Sequence, residues 1–249
     1  MKAFLAAAAA AITLAGPASA LDLTDLSDPE RSALREEIRA YLLDNPEVIM
    51  EAVAVLEQRQ NAQKAQSDAQ MIAANAEALF EDDHSWEGGN PEGDLTLVEF
   101  MDYRCGYCRK AAPEVSQLIR SDGDIRIIVK EFPILGDQSV LASRFAIAVL
   151  QLEGDAAYEA AHDKLIAFKG EIGPESLSRI AGDLGLDPQP VLERMDSDAV
   201  TEVIAQNHQL ANRMQITGTP TFVLEDQMLR GYVPLDKMRQ IVARVRQDG

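Results

Sequence analysis

The chain of 249 residues contains two cysteines, Cys105 and Cys108, separated by two residues. Two thiols at this spacing can form a reversible disulfide, and the thiolate of one can attack a disulfide in another molecule. A structural zinc site would need further ligands nearby, but the three histidines are scattered without ligand spacing: His84, His162 and His208. Cu(I) binding by the two thiolates remains an open alternative. The pair therefore predicts redox chemistry without a cofactor.

The elements around the pair favour this chemistry. Residues 95–101 are a short apolar run that predicts a buried strand, and residues 106–120 predict a helix. Cys105 then lies at the amino terminus of the helix, where unpaired N–H groups and the helix dipole stabilise a thiolate. Cys108 follows one turn later, within reach of a mixed disulfide at Cys105. We expect Cys105 to be the solvent-facing nucleophile and Cys108 the buried resolving thiol.

A second candidate for chemistry is Glu99, which lies on the predicted buried strand six residues before Cys105. A buried carboxyl group has a raised pKa and could exchange a proton with Cys108 during resolution. Two structural interpretations are equally open: Glu99 faces outward near the strand end, or it pairs with Lys130 on the neighbouring strand. Glu99 and Lys130 are therefore candidates for a proton relay.

The order of the remaining elements predicts an α/β fold. Residues 125–130 form a second strand, residues 139–213 about four helices, residues 218–224 and 228–231 a hairpin, and residues 235–246 a closing helix. The helices at about 139–213 are thus an insertion between strands. Together these elements form a catalytic domain at residues 90–249.

The start of the chain predicts export. Residues 1–20 combine Lys2, an apolar Ala-rich stretch and a final Ala18-Ser19-Ala20, which is the pattern of a secretory signal peptide. Since no other stretch is long and apolar enough for a membrane span, we expect an exported, periplasmic protein without membrane insertion. The chain has 41 acidic against 23 basic residues and a net charge of −18. This charge argues against nucleic acid and anionic membrane surfaces as partners.

Two helical segments lie between the signal peptide and the catalytic domain. Residues 21–57 present Val, Ile and Leu on one helix face, which predicts an oligomerisation segment. Residues 58–70 present only alanines on that face, and residues 81–94 are acidic and rich in Gly and Pro, so residues 58–89 are predicted to be a helical spacer and linker. The alternative is that all of these residues pack on the catalytic domain.

Two separated motifs, Cys105–Cys108 and Gly218–Phe222, resemble those of the thioredoxin-like DsbA superfamily of exported thiol-disulfide oxidoreductases. This resemblance implies a thioredoxin fold with an inserted helical domain, preceded by a helical segment. It also implies that Thr219-Pro220 is a cis peptide in a substrate-binding loop that faces the cysteines. Residues 28–57 and 132–136 are similar to the ScsC branch of the superfamily.

The dipeptide between the cysteines separates the activities known in the superfamily. Gly106-Tyr107 is similar to the dipeptide of the isomerase DsbC and differs from the Pro-His of the oxidase DsbA. Because Tyr107 supplies no positive charge, we expect a mild oxidant. The prediction is a homo-oligomeric protein disulfide isomerase that acts on exported proteins with disulfides and depends on an unidentified membrane redox partner. The alternatives are a DsbA-like dithiol oxidase and a Cu(I)-binding protein.

Overall fold

The computed structural model describes residues 25–248, so the predicted signal peptide lies outside the described residues. The chain divides into two compact units, one that ends at Arg59 and one that begins at Gln60. In the part that the structure describes, no helix is long and apolar enough to cross a membrane.

The first unit consists of helix α1 (Asp28–Asp44) and the beginning of helix α2 (Glu47–Ala74). Ser27 caps α1, because its backbone N–H and its hydroxyl both donate to the Glu30 carboxylate, at 2.9 and 2.6 Å. No residue of α1 is buried. The large apolar side chains exposed in this unit are Ile38, Tyr41, Leu43, Ile49, Met50, Val53, Val55 and Leu56.

The second unit is built on a sheet of five strands in the order β1-β3-β2-β4-β5. Their bounds are β1 Trp86–Gly89, β2 Leu95–Met101, β3 Ile125–Glu131, β4 Thr221–Leu224 and β5 Gln227–Arg230. β2 and β3 are parallel, whereas the other neighbours are antiparallel. β2, which leads into the cysteines, is therefore the central strand. β1 lies in the segment that was expected to be linker.

Helices cover both faces of this sheet. Their bounds are α3 Ala76–Phe80, α4 Gly106–Asp122, α5 Asp137–Glu153, α6 Asp155–Ala167, α7 Pro174–Asp183, α8 Pro188–Met195, α9 Asp198–Arg213 and α10 Leu235–Asp248. The insertion thus contains five helices where the sequence predicted about four. The missed boundary is Ser197, whose hydroxyl accepts the N–H of Val200 at 3.3 Å and starts α9.

The sheet separates two apolar cores, because successive side chains of a strand point to opposite faces. The larger core contains Leu97, Met101, Ile127 and Val129 from the strands and residues of α4, α5, α6 and α10. The smaller core contains Val98, Phe100 and Ile128 with residues from the end of α2, from α3 and from α9: Ile72, Leu79, Leu210 and Ala211. This arrangement confirms the predicted α/β fold with a helical insertion.

The packing corrects the expected spacer at residues 58–89. Ile72 and Leu79 are 3% and 0% exposed and belong to the smaller core. Asp68 also accepts two hydrogen bonds from the Arg230 guanidinium on β5, at 2.7 and 2.8 Å. From Asp68 onward this segment packs on the sheet, because burial of the large apolar side chains of Ile72 and Leu79 stabilises it there.

Candidate active site

Cys105 is the residue that caps α4 at its amino terminus. Its backbone N–H donates to the Asp102 carbonyl at 3.1 Å, and its own carbonyl accepts the N–H of Arg109 at 3.1 Å. Both cysteines are free thiols, 6% exposed at Cys105 and 1% exposed at Cys108. Cys105 is therefore more enclosed than the expected solvent-facing nucleophile, while Cys108 is fully buried.

The loop before β4 encloses Cys105. The Thr219-Pro220 peptide bond is cis, as the resemblance implied. The Cys105 Sγ donates to the carbonyl of Thr219 at 3.2 Å, and the Thr221 hydroxyl donates to the carbonyl of Gly218 at 2.8 Å. The structure thus brings together the two sequence motifs, which are more than 100 residues apart.

The dipeptide between the cysteines faces solvent. Tyr107 is 64% exposed, and a Cβ added at Gly106 would meet no atom within 4 Å. Neither residue supplies a charge to the sulfurs. Positive charge comes instead from Arg104 and Arg109, which flank the motif.

Arg109 is held beside the cysteine turn. Its Nε donates to the carbonyl of Tyr103 at 2.9 Å, and its Nη2 is buried with no hydrogen-bond partner among residues 25–248. Burial lowers the pKa of Arg109, and the neighbouring charge of Arg104 lowers it further. The sequence already showed positive charge near the cysteines in Arg104 and Arg109, but the prediction considered only Tyr107 and missed these two residues.

Glu99 is 5% exposed, on the face of the sheet that carries the larger core. Its carboxyl group makes no hydrogen bond within the described part of the chain. Burial, and next the charge of Glu131, raise the pKa of Glu99 to about 8. Burial, and next the charge of Glu99, raise the pKa of Cys108. The negative charge of Glu99 thus acts on the Cys108 thiol, and a carboxylate is a base that can accept a thiol proton.

Lys130 does not pair with Glu99, so that interpretation is wrong. In the parallel register Lys130 lies beside Phe100, and its side chain points to the face opposite Glu99. It contacts the carboxylate of Asp82 and donates to the carbonyl of Ala78 at 2.9 Å. Lys130 is fully buried, and burial lowers its pKa. Its role is to anchor the segment before β1, and it is removed from the proposed relay.

Asp102 is a buried acid that sequence reasoning missed. Its carboxylate accepts hydrogen bonds from four groups, at 2.7 to 3.1 Å: the backbone N–H of Arg104, Ile134 and Leu135, and the hydroxyl of Ser139. These bonds fix the turn before Cys105 to the segment after β3. The only sequence signal for this role was an acidic residue directly after a predicted buried strand. Three of the hydrogen-bond partners of Asp102 lie over 30 residues away in the sequence, so they could not be predicted.

Comparisons with known proteins were consistent with this geometry. Residues 96–243 match the family model of the DSBA-like thioredoxin domain, and residues 30–63 match that of the copper resistance protein ScsC N-terminal domain. The chain is similar to the crystal structure of a thioredoxin-like oxidoreductase from Silicibacter pomeroyi, with 40% identity and a TM-score of 0.65 over 70% of this chain and 98% of that one.

It is also similar to a periplasmic thioredoxin-like protein from Salmonella enterica serovar Typhimurium, with 30% identity and a TM-score of 0.62 over 68% of this chain and 94% of that one. Among curated proteins, it is 22% identical to disulfide bond formation protein D of Bacillus subtilis, over 63% of this chain and 74% of that protein. It is 29% identical to the Na(+)/H(+) antiporter NhaA 3 of Salinispora tropica, over 65% of this chain. The chain spans about a quarter of that antiporter's length (26%).

Proposed function

Because the chain belongs to the family of DSBA-like thioredoxin domains, we propose that it is a thiol-disulfide oxidoreductase that acts through Cys105 and Cys108. The observation that carries the proposal is the contact between the Cys105 Sγ and the Thr219 carbonyl at 3.2 Å. It supports the proposal because an extended substrate chain can pair with the main chain of such a loop next to the reactive sulfur.

The proposed reaction is disulfide isomerisation. The Cys105 thiolate attacks a substrate disulfide, one substrate sulfur joins Cys105 in a mixed disulfide, and the other leaves as a thiolate. A substrate thiolate then attacks the mixed disulfide, which forms a new substrate disulfide and releases Cys105 without net oxidation. If Cys108 attacks instead, the Cys105–Cys108 disulfide forms, the substrate is reduced, and a dithiol partner must reduce the enzyme again.

Two features favour isomerisation over oxidation. Although Arg104 and Arg109 flank the motif, the Gly106-Tyr107 dipeptide places no positive charge between the cysteines, and a strongly stabilised reduced thiolate is the property of a strong oxidant. The exposed apolar side chains of the first unit also favour assembly of several copies of the chain, and residues 30–63 resemble the amino-terminal domain of the ScsC proteins. An assembly holds several catalytic units near one misfolded substrate.

We also propose that the chain is exported and works in the periplasm on exported proteins with disulfides. The signal pattern of residues 1–20 supports this location, and so does the similarity to a periplasmic protein of Salmonella enterica. A membrane redox partner would keep the cysteines reduced.

The test compares two reactions of ribonuclease. The reduced protein is mixed with scrambled, fully disulfide-bonded ribonuclease, and the oxidised protein is mixed with reduced ribonuclease, with Cys105→Ser as the control in both. We expect efficient recovery of ribonuclease activity from the scrambled form and slow oxidation of the reduced form. The opposite result would support the dithiol oxidase.

Cu(I) binding is a second candidate, favoured by the match of residues 30–63 to a domain named for copper resistance. The matched residues contain no cysteine, so the ligands would still be Cys105 and Cys108. Metal analysis of the reduced protein after loading with Cu(I), with Cys105→Ser as the control, tests this candidate. Stoichiometric copper that the variant loses would support it.

A further inference from the structure

A hydrogen-bonded cluster lies in the larger core at the carboxyl end of β3. Glu131 is 3% exposed, and three hydroxyl groups donate to its carboxylate, each at 2.7 Å. The donors are Tyr103 from the turn after β2, Ser143 from α5 and Tyr158 from α6. Since each donor comes from a different element, the cluster connects β3 to the turn after β2, to α5 and to α6.

The cluster is joined to the turn that carries the cysteines. Tyr103 precedes Cys105 by two residues, its hydroxyl is 3.2 Å from the Nδ1 of His162, and its carbonyl accepts the Nε of Arg109. One residue therefore contacts Glu131 through its side chain and α4 through its backbone. Glu131 is thus connected to the cysteine turn by the one hydrogen bond that it accepts from Tyr103.

The cluster is also next to Glu99. In the parallel register Glu99 lies beside Val129, and Met101 lies beside Glu131. Side chains at alternate positions of a strand share a face, so Glu99 and Glu131 are diagonal neighbours on the same face of two adjacent strands. Two buried carboxyl groups thus lie side by side, and the charge of one acts on the other.

We propose that Glu131 is a positioning residue for the proton transfer at Cys108, acting through its place beside Glu99 and its hydrogen bond with Tyr103. This inference rests on the proposed function of the two cysteines. In the resolving step the Cys108 thiol gives its proton to the Glu99 carboxylate, and the Cys108 sulfur attacks Cys105. The Cys105–Cys108 disulfide forms, and the substrate sulfur leaves as a thiolate.

Burial is the larger cause of the raised pKa of Glu99, and the charge of Glu131 adds to it. An ionised Glu131 disfavours a second negative charge nearby, so the pKa of Glu99 rises and its carboxylate takes a proton more readily. Burial raises the pKa of Glu131 itself to about 7, while its three hydroxyl bonds oppose that rise. Glu131 therefore becomes charged at a lower pH than Glu99.

Other titratable groups face the cluster from the elements packed on it: Glu99 and Asp102 from β2 and its turn, Cys108 from α4, Tyr158 and His162 from α6, and His84 through Asn207 of α9. Burial raises the pKa of Tyr103 and Tyr158, so they remain hydroxyl donors. Burial lowers the pKa of His162 to about 4, so its ring is uncharged near neutral pH.

Stopped-flow mixing of the reduced protein with Ellman's reagent separates the two steps. Attack by Cys105 releases the first coloured thiolate, and attack by Cys108 on the mixed disulfide releases the second. The rate of the second phase is measured against pH. Absence of a rapid first phase would overturn the proposed function itself, whereas the inference depends on the second phase alone.

In the wild type we expect the second phase to accelerate with pH, with a midpoint near the Glu99 pKa of about 8. Glu131→Gln removes the neighbouring charge, so the midpoint should fall by roughly one unit. Glu159→Gln, on the exposed side of α6, is the matched control and should leave the midpoint unchanged. A rapid first phase with an unchanged midpoint in Glu131→Gln would overturn the inference.

Two further variants and one optical signal cover the case in which Glu131→Gln does not fold. Tyr103→Phe and Ser143→Ala each remove one hydrogen-bond donor from the ionised Glu131 carboxylate, so Glu131 is less readily charged. Each variant should therefore lower the midpoint of the second phase, but by less than Glu131→Gln does. A purely structural role would instead change the rate equally at every pH. The wild type provides the third measurement, because the Trp86 ring stacks on Tyr158 at 5.3 Å.

Trp86 is the one tryptophan of the chain, so its fluorescence reports on the cluster. We expect a change with a midpoint near pH 7, where Glu131 titrates. His84→Asn, which removes the nearby imidazole, should retain this transition. A wild type without a transition in this range would overturn the inference.

Discussion

At the scale of single residues, Glu99 is in an unfavourable position for a carboxyl group. It is buried in the central strand, and the charge that acts on it is that of Glu131. A buried acid without a cation lowers stability whenever it ionises. This cost is consistent with a group kept for proton transfer.

Glu99→Gln should therefore stabilise the protein at high pH. The pKa of Glu99 is about 8 when folded and 4.5 ordinarily, so the folded state holds the proton more tightly. Stability from this group is complete below pH 4.5 and is lost as the pH rises through 8. The variant should match the wild type at about pH 4 and exceed it by up to roughly 4 kcal/mol at about pH 9.

Urea unfolding at the two pH values measures this difference. Glu92→Gln, an exposed position, is the control and should change stability little at either pH. Equal stability of Glu99→Gln and the wild type at high pH would contradict a raised pKa for Glu99.

The cysteines should differ sharply in their variants. Cys105→Ser should abolish exchange, because Cys105 holds the position at the helix terminus beside Thr219. Cys108→Ser should accumulate mixed disulfides with substrates, because the resolving thiol is lost. Non-reducing electrophoresis with a disulfide-bonded substrate checks both. Faster alkylation of Cys108 than of Cys105 at low pH would reverse the assignment.

The sequence was informative at this scale where chemistry depends on local spacing. Cys105 and Cys108 could be predicted because both lie on one helix turn, and Glu99 because its strand is continuously apolar. The hydrogen-bond partners of Asp102, Glu131 and Lys130 could not be predicted from the sequence, because these hydrogen bonds join elements that only the folded sheet brings together.

At the scale of elements, the end of α2 and α3 behave as part of the catalytic unit. A chain that begins at residue 90 should therefore be much less stable than one that begins at residue 58. It lacks the buried side chains of Ile72 and Leu79, each worth about 1.5–3 kcal/mol, and it lacks Asp82, which leaves Lys130 buried without its partner. We expect a loss of more than about 5 kcal/mol.

Urea unfolding of both chains tests this expectation, with the chain from residue 58 as the control. Similar unfolding midpoints would mean that α3 and the end of α2 add nothing to the catalytic unit. The matched family model begins only at residue 96, so the result also defines where the folding unit starts in this chain.

Most elements follow directly from the sequence pattern. β2, α4 and α10 begin at the predicted residues, because apolar periodicity and turn residues mark them. β1 was missed because Trp86–Gly89 has two glycines and no alternation, and its pairing with β3 depends on a distant strand. The packing of Ile72 on the sheet was missed because the sequence of a helix does not indicate which face of a distant sheet it will cover.

At the scale of the whole molecule, the first unit should determine the kind of activity. A chain that begins at residue 58 lacks the exposed apolar side chains of the first unit and should be a soluble monomer. It should keep simple oxidase or reductase activity, since the cysteines and the Thr219 loop are intact. It should lose unscrambling, because one catalytic unit cannot hold a substrate through several exchanges.

Light scattering and the ribonuclease assay test both halves of this prediction. A full-length protein that is already a monomer would contradict it. So would a chain from residue 58 that unscrambles as well as the full-length protein, and the dithiol oxidase would then be favoured.

The open position of Gly106 and Tyr107 has a consequence for how such proteins diversify. A Cβ added at Gly106 would meet no atom within 4 Å, and Tyr107 is largely exposed, so neither residue contributes packing to the core. We therefore expect that many replacements of the dipeptide leave the packing of the core unchanged. A library of dipeptides in this one protein should give a graded series of reduction potentials. Oxidase and isomerase activity would then differ by the dipeptide alone, within the same fold.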